Sequence, residues 1–244
     1  MNARTACLGL ALLATAAFAA GQGFEKDIVK TSAGDLEIGF IGHGSLMFAF
    51  QGKVIHVDPY GKEADYASLP KASLVLVTHD HRDHLDPAAI AAVRTAETAV
   101  VVSPVCEGKV EGALVLRNGE SRTVAGIPIT AVPAYNIVHV SPDGAPFHPK
   151  GEGNGYVLTF GDTRVYVAGD TENVPEMKDL KDIAIAFLPM NLPYTMTPEM
   201  AADAARAFKP RILYPYHCGD TDPGRLVALL ATDKGIEVRV RKMK

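Results

Sequence analysis

"LVLVTHDHRDHLDP", residues 74–87, decides how the chain is read. Leu74–Val77 is an uninterrupted apolar run, which suits a strand covered on both faces. Directly after it come three histidines and three aspartates within residues 79–86. The pattern H-x-H-x-D-H falls on His79, His81, Asp83 and His84. In an extended segment, residues i and i+2 point the same way, so His79 and His81 can reach one metal ion together. Asp83 and His84 stand where the chain turns toward a helix and can face a second ion. Asp86 can cap that helix, Pro87 suits its first turn, and Ala88–Val93 propagates it. Imidazole nitrogen and carboxylate oxygen are ligands that zinc and related divalent ions take. The alternative is a solvated, charged loop, which has no need of this order.

Upstream, Leu36–Ile41, Ser45–Phe50 and Lys53–Val57 read as a meander, with Gln51-Gly52 as a tight turn. The strand at the opening stretch reads as Ala72–Thr78. Thr98–Ser103 and Ile127–Val132 are further strands, and Asn118-Gly119 marks a hairpin. Residues 133–154 are rich in proline and glycine with little periodicity, and read as a long loop of functional or mobile character. The second half repeats the order of the first. "SLMFAFQGKVIHVDPYG" and "YVLTFGDTRVYVAGDTE" are both hairpins ending in an aspartate, Asp58 and Asp170. Each leads to a buried strand and then to a helix opened by a capping residue and a proline, Asp86-Pro87 and Thr197-Pro198. Arg211–Tyr216, a helix opened by Asp222-Pro223, and Ile236–Val240 complete the second half. Two β-rich halves, each ending in helices, predict an α/β chain with two sheets face to face and helices outside, a four-layer αββα sandwich. Two strand ends also deliver candidate ligands: "RVYVAGD" stops at Asp170 and "RILYPYH" at His217.

The chain has 244 residues, is 48% hydrophobic and carries a formal charge of −4. That is enough for a sizeable core, and residues 20–244 read as one domain. The mildly acidic balance argues against nucleic acid as a partner. The basic tail Arg239, Arg241, Lys242, Lys244 reads as solvated charge. Arg4 is the only charge before Glu25, Cys7–Ala20 is a small-and-apolar run, and Ala17-Phe18-Ala19 fits a signal-peptidase site. Residues 1–19 are therefore expected to be a cleaved secretory signal. The mature protein is then secreted or periplasmic and without a membrane anchor; the alternative is a cytoplasmic protein with an N-terminal extension. Cys106 and Cys218 are expected to be two separate buried thiols, with pairing as the alternative.

"THDHRDHLD", "VAGDT" and "YPYH", in that order, resemble the metallo-β-lactamase superfamily from about Ile38 to the C-terminus. More narrowly, "IGHGSLMF", "DPY", "PAYN", "HPKGEGNGY", "AGDTENVPEM" and "MTPEMAADAA" resemble a branch of metal-dependent hydrolases near the L-ascorbate-6-phosphate lactonases. The resemblance implies the αββα metallo-β-lactamase fold and two divalent ions, zinc first, with manganese or iron in some members. It puts His79 and His81 on the first ion and Asp83 and His84 on the second. Asp170 bridges the ions, His217 completes the second set, and Asp58 anchors the ligands from behind. The superfamily usually supplies another histidine to the first ion from the segment before the bridging aspartate. Position 136, the natural place, holds asparagine. His148 is the expected replacement, with His139 and Asn136 itself as alternatives.

His43, Asn136 and Tyr194 are candidates for touching substrate, with Met196 beside them and Lys150 as a solvated lysine or an anion contact. His56 is expected to be structural, and Cys218 to pack away from the site.

The function expected is hydrolysis of a lactone, ester or thioester of a small molecule by a hydroxide held between two ions. Their charge brings the pKa of water from near 16 to about 7. Asp83 is the catalytic residue that orients the water and passes a proton to the leaving group. A phosphodiesterase on the same site is the runner-up. A non-catalytic metal- or ligand-binding protein is the reading from another class.

Overall fold

Short apolar runs separated by tight turns fold the first half into strands, and the structure, a computed structural model, describes residues 23–243. The expected secretory signal, 1–19, lies outside those residues. Strands β1 (Glu25–Thr31), β2 (Gly34–Gly42), β3 (Ser45–Phe50) and β4 (Lys53–Val57) form an antiparallel meander. The β3–β4 turn is made by Gln51 and Gly52, both at positive φ, the primed geometry that matches strand twist. Strands β5 (Leu74–Val77), β6 (Ala99–Val102) and β7 (Leu114–Val115) then add in parallel, so the first sheet runs β1 to β7 in sequence order.

The second sheet repeats the plan. An antiparallel meander of β8 (Ser121–Val124), β9 (Ile127–Ala134), β10 (Gly153–Phe160) and β11 (Thr163–Val167) is followed by parallel β12 (Ile183–Pro189), β13 (Ile212–Tyr216) and β14 (Glu237–Val238). Asn118-Gly119, expected to close a hairpin, instead carries the chain from one sheet to the other. Leu116 still pairs with Val102, while Gly119 already donates to the Ala131 carbonyl across the gap. The Asn118 side chain locks the crossing by donating to the carbonyls of Val132 and Gly153 and to Asn154 Oδ1.

The period of two decides the layers. Leu74 and Leu76 of β5 enter a core shared by both sheets, while Val75 and Val77 face the other way, toward helix α1 (Pro87–Val93). In β12, Ile185 and Phe187 enter the shared core, and Ala186 and Leu188 face helices α2 (Pro198–Phe208) and α3 (Gly224–Leu230). The result is the expected four-layer αββα sandwich. Each fully buried Leu, Val or Ile contributes roughly 1.5–3 kcal/mol by leaving water. Asp86 caps α1 through Ala88 and Ala89, and Thr197 caps α2 through Met200. At α3 the capping position is Pro223, and Asp222 instead accepts from the Gly224 amide. Cys106 and Cys218 are separate, buried free thiols on opposite sheets. Among the described residues, no helix is long and apolar enough to cross a membrane.

Candidate metal centre

The carboxyl ends of β4, β5, β11 and β13 release the chain at one edge of the sandwich, and each delivers side chains there. His43 in the β2–β3 turn, Asp58 after β4 and His217 after β13 all have positive φ although none is glycine. Such backbone costs free energy and concentrates at functional sites. Gly169, just before Asp170, has φ +66° and would drive a Cβ to 2.7 Å from the Asn154 carbonyl oxygen. Only glycine lets β11 deliver Asp170 against β10 at that spacing.

Asp58 sets the orientation of two histidines. Its Oδ1 accepts from the Thr78 amide at 2.8 Å, and its Oδ2 accepts from Thr78 Oγ1 at 2.6 Å and from His84 Nδ1 at 2.8 Å. Because Thr78 Oγ1 spends its proton on Asp58, it can only accept from His79 Nδ1, 2.9 Å away. Both rings therefore carry their proton on Nδ1 and turn Nε2 to the cluster. A third ring is set by Asn136. Its Oδ1 accepts from the His148 amide at 2.9 Å and from His148 Nδ1 at 2.6 Å, again leaving Nε2 free. The backbone donor fixes which end of the Asn136 amide is oxygen.

The Nε2 atoms converge on Asp170. His148 Nε2 and His217 Nε2 each lie 3.4 Å from Asp170 Oδ2, His79 Nε2 lies 3.9 Å from the same oxygen, and His84 Nε2 lies 3.5 Å from Oδ1. Two groups on either side of Asp170 have the spacing of metal ligands. One is His79, His81 and His148; the other is His43, Asp83, His84 and His217. His79, His84 and Asp170 form a third set linking the two. Asp83 Oδ2 accepts from His43 Nε2 at 2.8 Å, and the His43 ring sits 3.7 Å from that of His217.

Electrostatics favour cation binding. Burial pushes His79, His81 and His217 below the usual imidazole range, toward the neutral form that offers a lone pair. At His84, burial works the same way, but Asp170, Asp58 and Asp83 outweigh it and lift the ring to about 9, so at neutral pH these carboxylates draw a proton to Nε2 that a metal ion has to displace. Burial opposes ionisation of Asp170, yet the surrounding His217 and His84 hold it well below the usual carboxylate range. His79 Nε2, His148 Nε2, Asp170 Oδ1 and His217 Nδ1 are all buried without a hydrogen-bond partner. Buried polar atoms are almost always satisfied. His79 Nε2, His148 Nε2 and Asp170 Oδ1 point into the cluster that His217 enters with its Nε2, and this nitrogen–oxygen donor set fits a zinc-like divalent cation.

The other expected residues fall apart from this group. Asn136 was a candidate for touching substrate; it stands behind His148, and its Nδ2 donates to the Tyr194 carbonyl at 2.9 Å and to Glu172 Oε1 at 3.3 Å. His139 turns away from the cluster onto Glu172, Nδ1 to Oε1 2.7 Å. Tyr194 is exposed at the rim, Met196 is fully buried, and Lys150 is tied to Glu176 and Tyr135. His56 is buried and donates from Nε2 to the Pro70 carbonyl. Cys218 packs among the residues under α2 and α3. Thr78 and Glu172 were not singled out from sequence. Both adjoin ligand candidates, in "THDH" and "GDTE", and that adjacency was the only available signal.

Residues 37–217 match the family model described as a Beta-lactamase superfamily domain. The chain belongs to the β-lactamase superfamily. This superfamily member is 32% identical over 199 residues to a UPF0173 metal-dependent hydrolase of Methanopyrus kandleri, covering 77% of this chain and 86% of the relative. The crystal structure of a metal-dependent hydrolase of Parabacteroides distasonis superposes with a TM-score of 0.86 at 50% identity, covering 91% of this chain and 100% of that one. The metallo hydrolase Igni18 of Ignicoccus hospitalis shares the fold, with a TM-score of 0.68 at 24% identity over 85% of this chain and 95% of its own. The sandwich is the metallo-β-lactamase fold.

Proposed function

We propose that this metal-dependent hydrolase cleaves an ester-like bond of a small molecule at a centre for two divalent ions. In this reading His79, His81 and His148 would hold one ion and Asp83, His84 and His217 the other, with Asp170 available to both. The observation that carries the reading is the set of buried, unpartnered atoms His79 Nε2, His148 Nε2 and Asp170 Oδ1, with His217 Nε2 3.4 Å from Asp170 Oδ2 beside them. When bound, divalent ions ionise water near neutral pH and neutralise charge that develops on a substrate oxygen.

The chain's own residues supply the rest. Asp58, through Thr78, and Asn136 hold the histidine rings in the tautomer that presents Nε2, which keeps the donor set rigid. Asp83 is partly exposed and stays ionised: burial opposes this, but the His43 hydrogen bond and the nearby His84 hold its carboxyl below the usual range. Its Oδ2 is engaged by His43, which leaves Oδ1 to orient the attacking water and take its proton. Water adds across the acyl C–O bond; the hydroxyl goes to the carbonyl carbon, and Asp83 returns the proton to the leaving oxygen.

The test is a stripped and remetallated sample assayed for metal per chain and for turnover of a lactone, a p-nitrophenyl ester, a thioester and bis(p-nitrophenyl) phosphate. Two equivalents of zinc and turnover of a carboxylic ester are expected. Turnover of the phosphodiester alone makes the chain a phosphodiesterase. Stoichiometric metal with no turnover makes it a binding protein.

A further inference from the structure

Exposed apolar side chains are unevenly spread over this surface. Eight large hydrophobics are exposed among the described residues, and five of them, Ile137, Val138, Val140, Leu192 and Tyr194, lie on two loops. Single exposed hydrophobics need no explanation, but a concentration of them does. Both loops are wired to the metal centre. Ile137 and Val138 directly follow Asn136, which holds His148 and also donates to the Tyr194 carbonyl of the second loop. Phe147, the neighbour of His148, packs edge-on against Tyr194 with ring centroids 5.0 Å apart. The same Phe147 lines a cavity with His79, His81, His148 and Asp170, and Val105, Ala134 and Pro149 add apolar wall to it.

The display is also rigid. Glu172 Oε2 accepts from the amides of Ile137 and Val138, each at 2.7 Å, and Oε1 accepts from the His139 amide at 2.7 Å. A fully buried carboxylate thus holds out Ile137 and Val138, which are 53% and 62% exposed. Ordering backbone to present branched apolar groups to water is costly unless something covers them in use. A rim ordered in advance loses less entropy when a ligand arrives. Lys150 is engaged with Glu176 and Tyr135, and His139 Nδ1 lies 2.7 Å from Glu172 Oε1, while the carboxylates Asp80 and Glu152 line the polar part of the cavity wall with Asn154.

We propose that this rim binds the hydrocarbon chain of the substrate, so that the centre acts on acyl esters or lactones with a medium or long alkyl chain. The assignment rests on the ester-hydrolase reading above and names its substrate class. Hydrolysis then releases the fatty acid, or the hydroxy acid from a lactone, with water as the only co-reactant.

The remetallated full chain is to be assayed with p-nitrophenyl acetate, butanoate and octanoate, all below their aggregation concentrations. Burial of a methylene increases kcat/KM by up to roughly fourfold. Partial burial along the rim predicts roughly tenfold or more from acetate to octanoate. In the double variant Ile137→Ser, Leu192→Ser the gain should shrink to about threefold or less through KM, with metal content and the far-ultraviolet spectrum as in the parent. A chain-length profile that is flat in the parent overturns the proposal while leaving ester hydrolysis intact. A flat profile in a parent that dimerises, with the dimer lost in the variant, overturns it in favour of a second copy covering the rim. No ester turnover at any length overturns this proposal and the ester-hydrolase reading together.

Discussion

Asn136 shows how a single side chain can move a role along the chain. Its Oδ1 holds both the amide and Nδ1 of His148, so the ring twelve positions downstream, and not residue 136, faces Asp170. Partners of this kind usually change metal affinity by about 10–100-fold when removed. Asn136→Ala should weaken metal binding through His148 by roughly that factor in a chelator competition, with the fold retained. His148→Ala should remove one ion per chain, whereas His139→Ala should leave the stoichiometry unchanged, since His139 faces Glu172. Metal analysis in which only the His139 variant loses an ion would move the ligand to the other side of the loop. The cluster at 79–84 was legible in the sequence because its ligand spacing is local and strand geometry alone aims it. The roles of Asn136 and Glu172 were not, because they depend on the fold of a loop eighteen residues long with no periodicity, 135–152.

At the scale of elements, the loop after β9 is held by one carboxylate rather than by strand pairing. Glu172 satisfies the amides of Ile137, Val138 and His139 from beneath. Glu172→Ala leaves these donors without their buried acceptor, which costs about 1–3 kcal/mol per unsatisfied group. Amide exchange at 137–139 should accelerate by at least tenfold, while exchange in β5 and β12 stays slow. Unchanged protection of those three amides would show that the carboxylate is not what holds the loop. Helix α1 offers a simpler case. Asp86 accepts from Ala88 and Ala89 with Oδ1 and from Gly61 with Oδ2. Asp86→Ala should lower stability by about 1 kcal/mol or slightly more, read as a fall in the urea midpoint. That cap was readable from Asp86-Pro87, as was the Thr197-Pro198 start of α2, because capping is a contact between near neighbours. The Asp222-Pro223 signal was read one residue out of place, because Pro223 itself occupies the capping position.

At the scale of the whole molecule, stability depends on pH through groups outside the ligand cluster. Burial of His56 pushes its imidazole down to about 4 from an ordinary 6.5. Between those values the unfolded chain binds a proton that the folded one refuses, so stability falls as pH drops from 6.5 toward 4. The full loss from this group is on the order of 3 kcal/mol. His56→Gln keeps a donor for the Pro70 carbonyl and removes the titration. Unfolding free energy measured against pH should lose that part of its slope; an identical slope would acquit His56. Asp27 acts lower on the scale. Burial opposes its charge, but the Tyr214 hydroxyl and Arg241 guanidinium prevail and hold its carboxyl below the usual range. Its contribution is present above the unfolded carboxylate value and disappears as pH falls through the folded one. This tie joins β1 to the C-terminal tail, a long-range pairing that no local pattern announced. The repeat of hairpin, strand and helix did announce the double sheet, because the order of parts survives where residue identity does not.

The chain passes between the sheets once, at residues 116–120, and everything before that passage builds one sheet while everything after it builds the other. His79, His81, Asp83 and His84 lie on one side of the passage, and His148, Asp170 and His217 on the other. A nascent chain that has finished only its first sheet therefore owns half a grip. A cation held by both parties would act as a rivet between two consecutively made plates, and its capture would report that the later plate has docked on the earlier one.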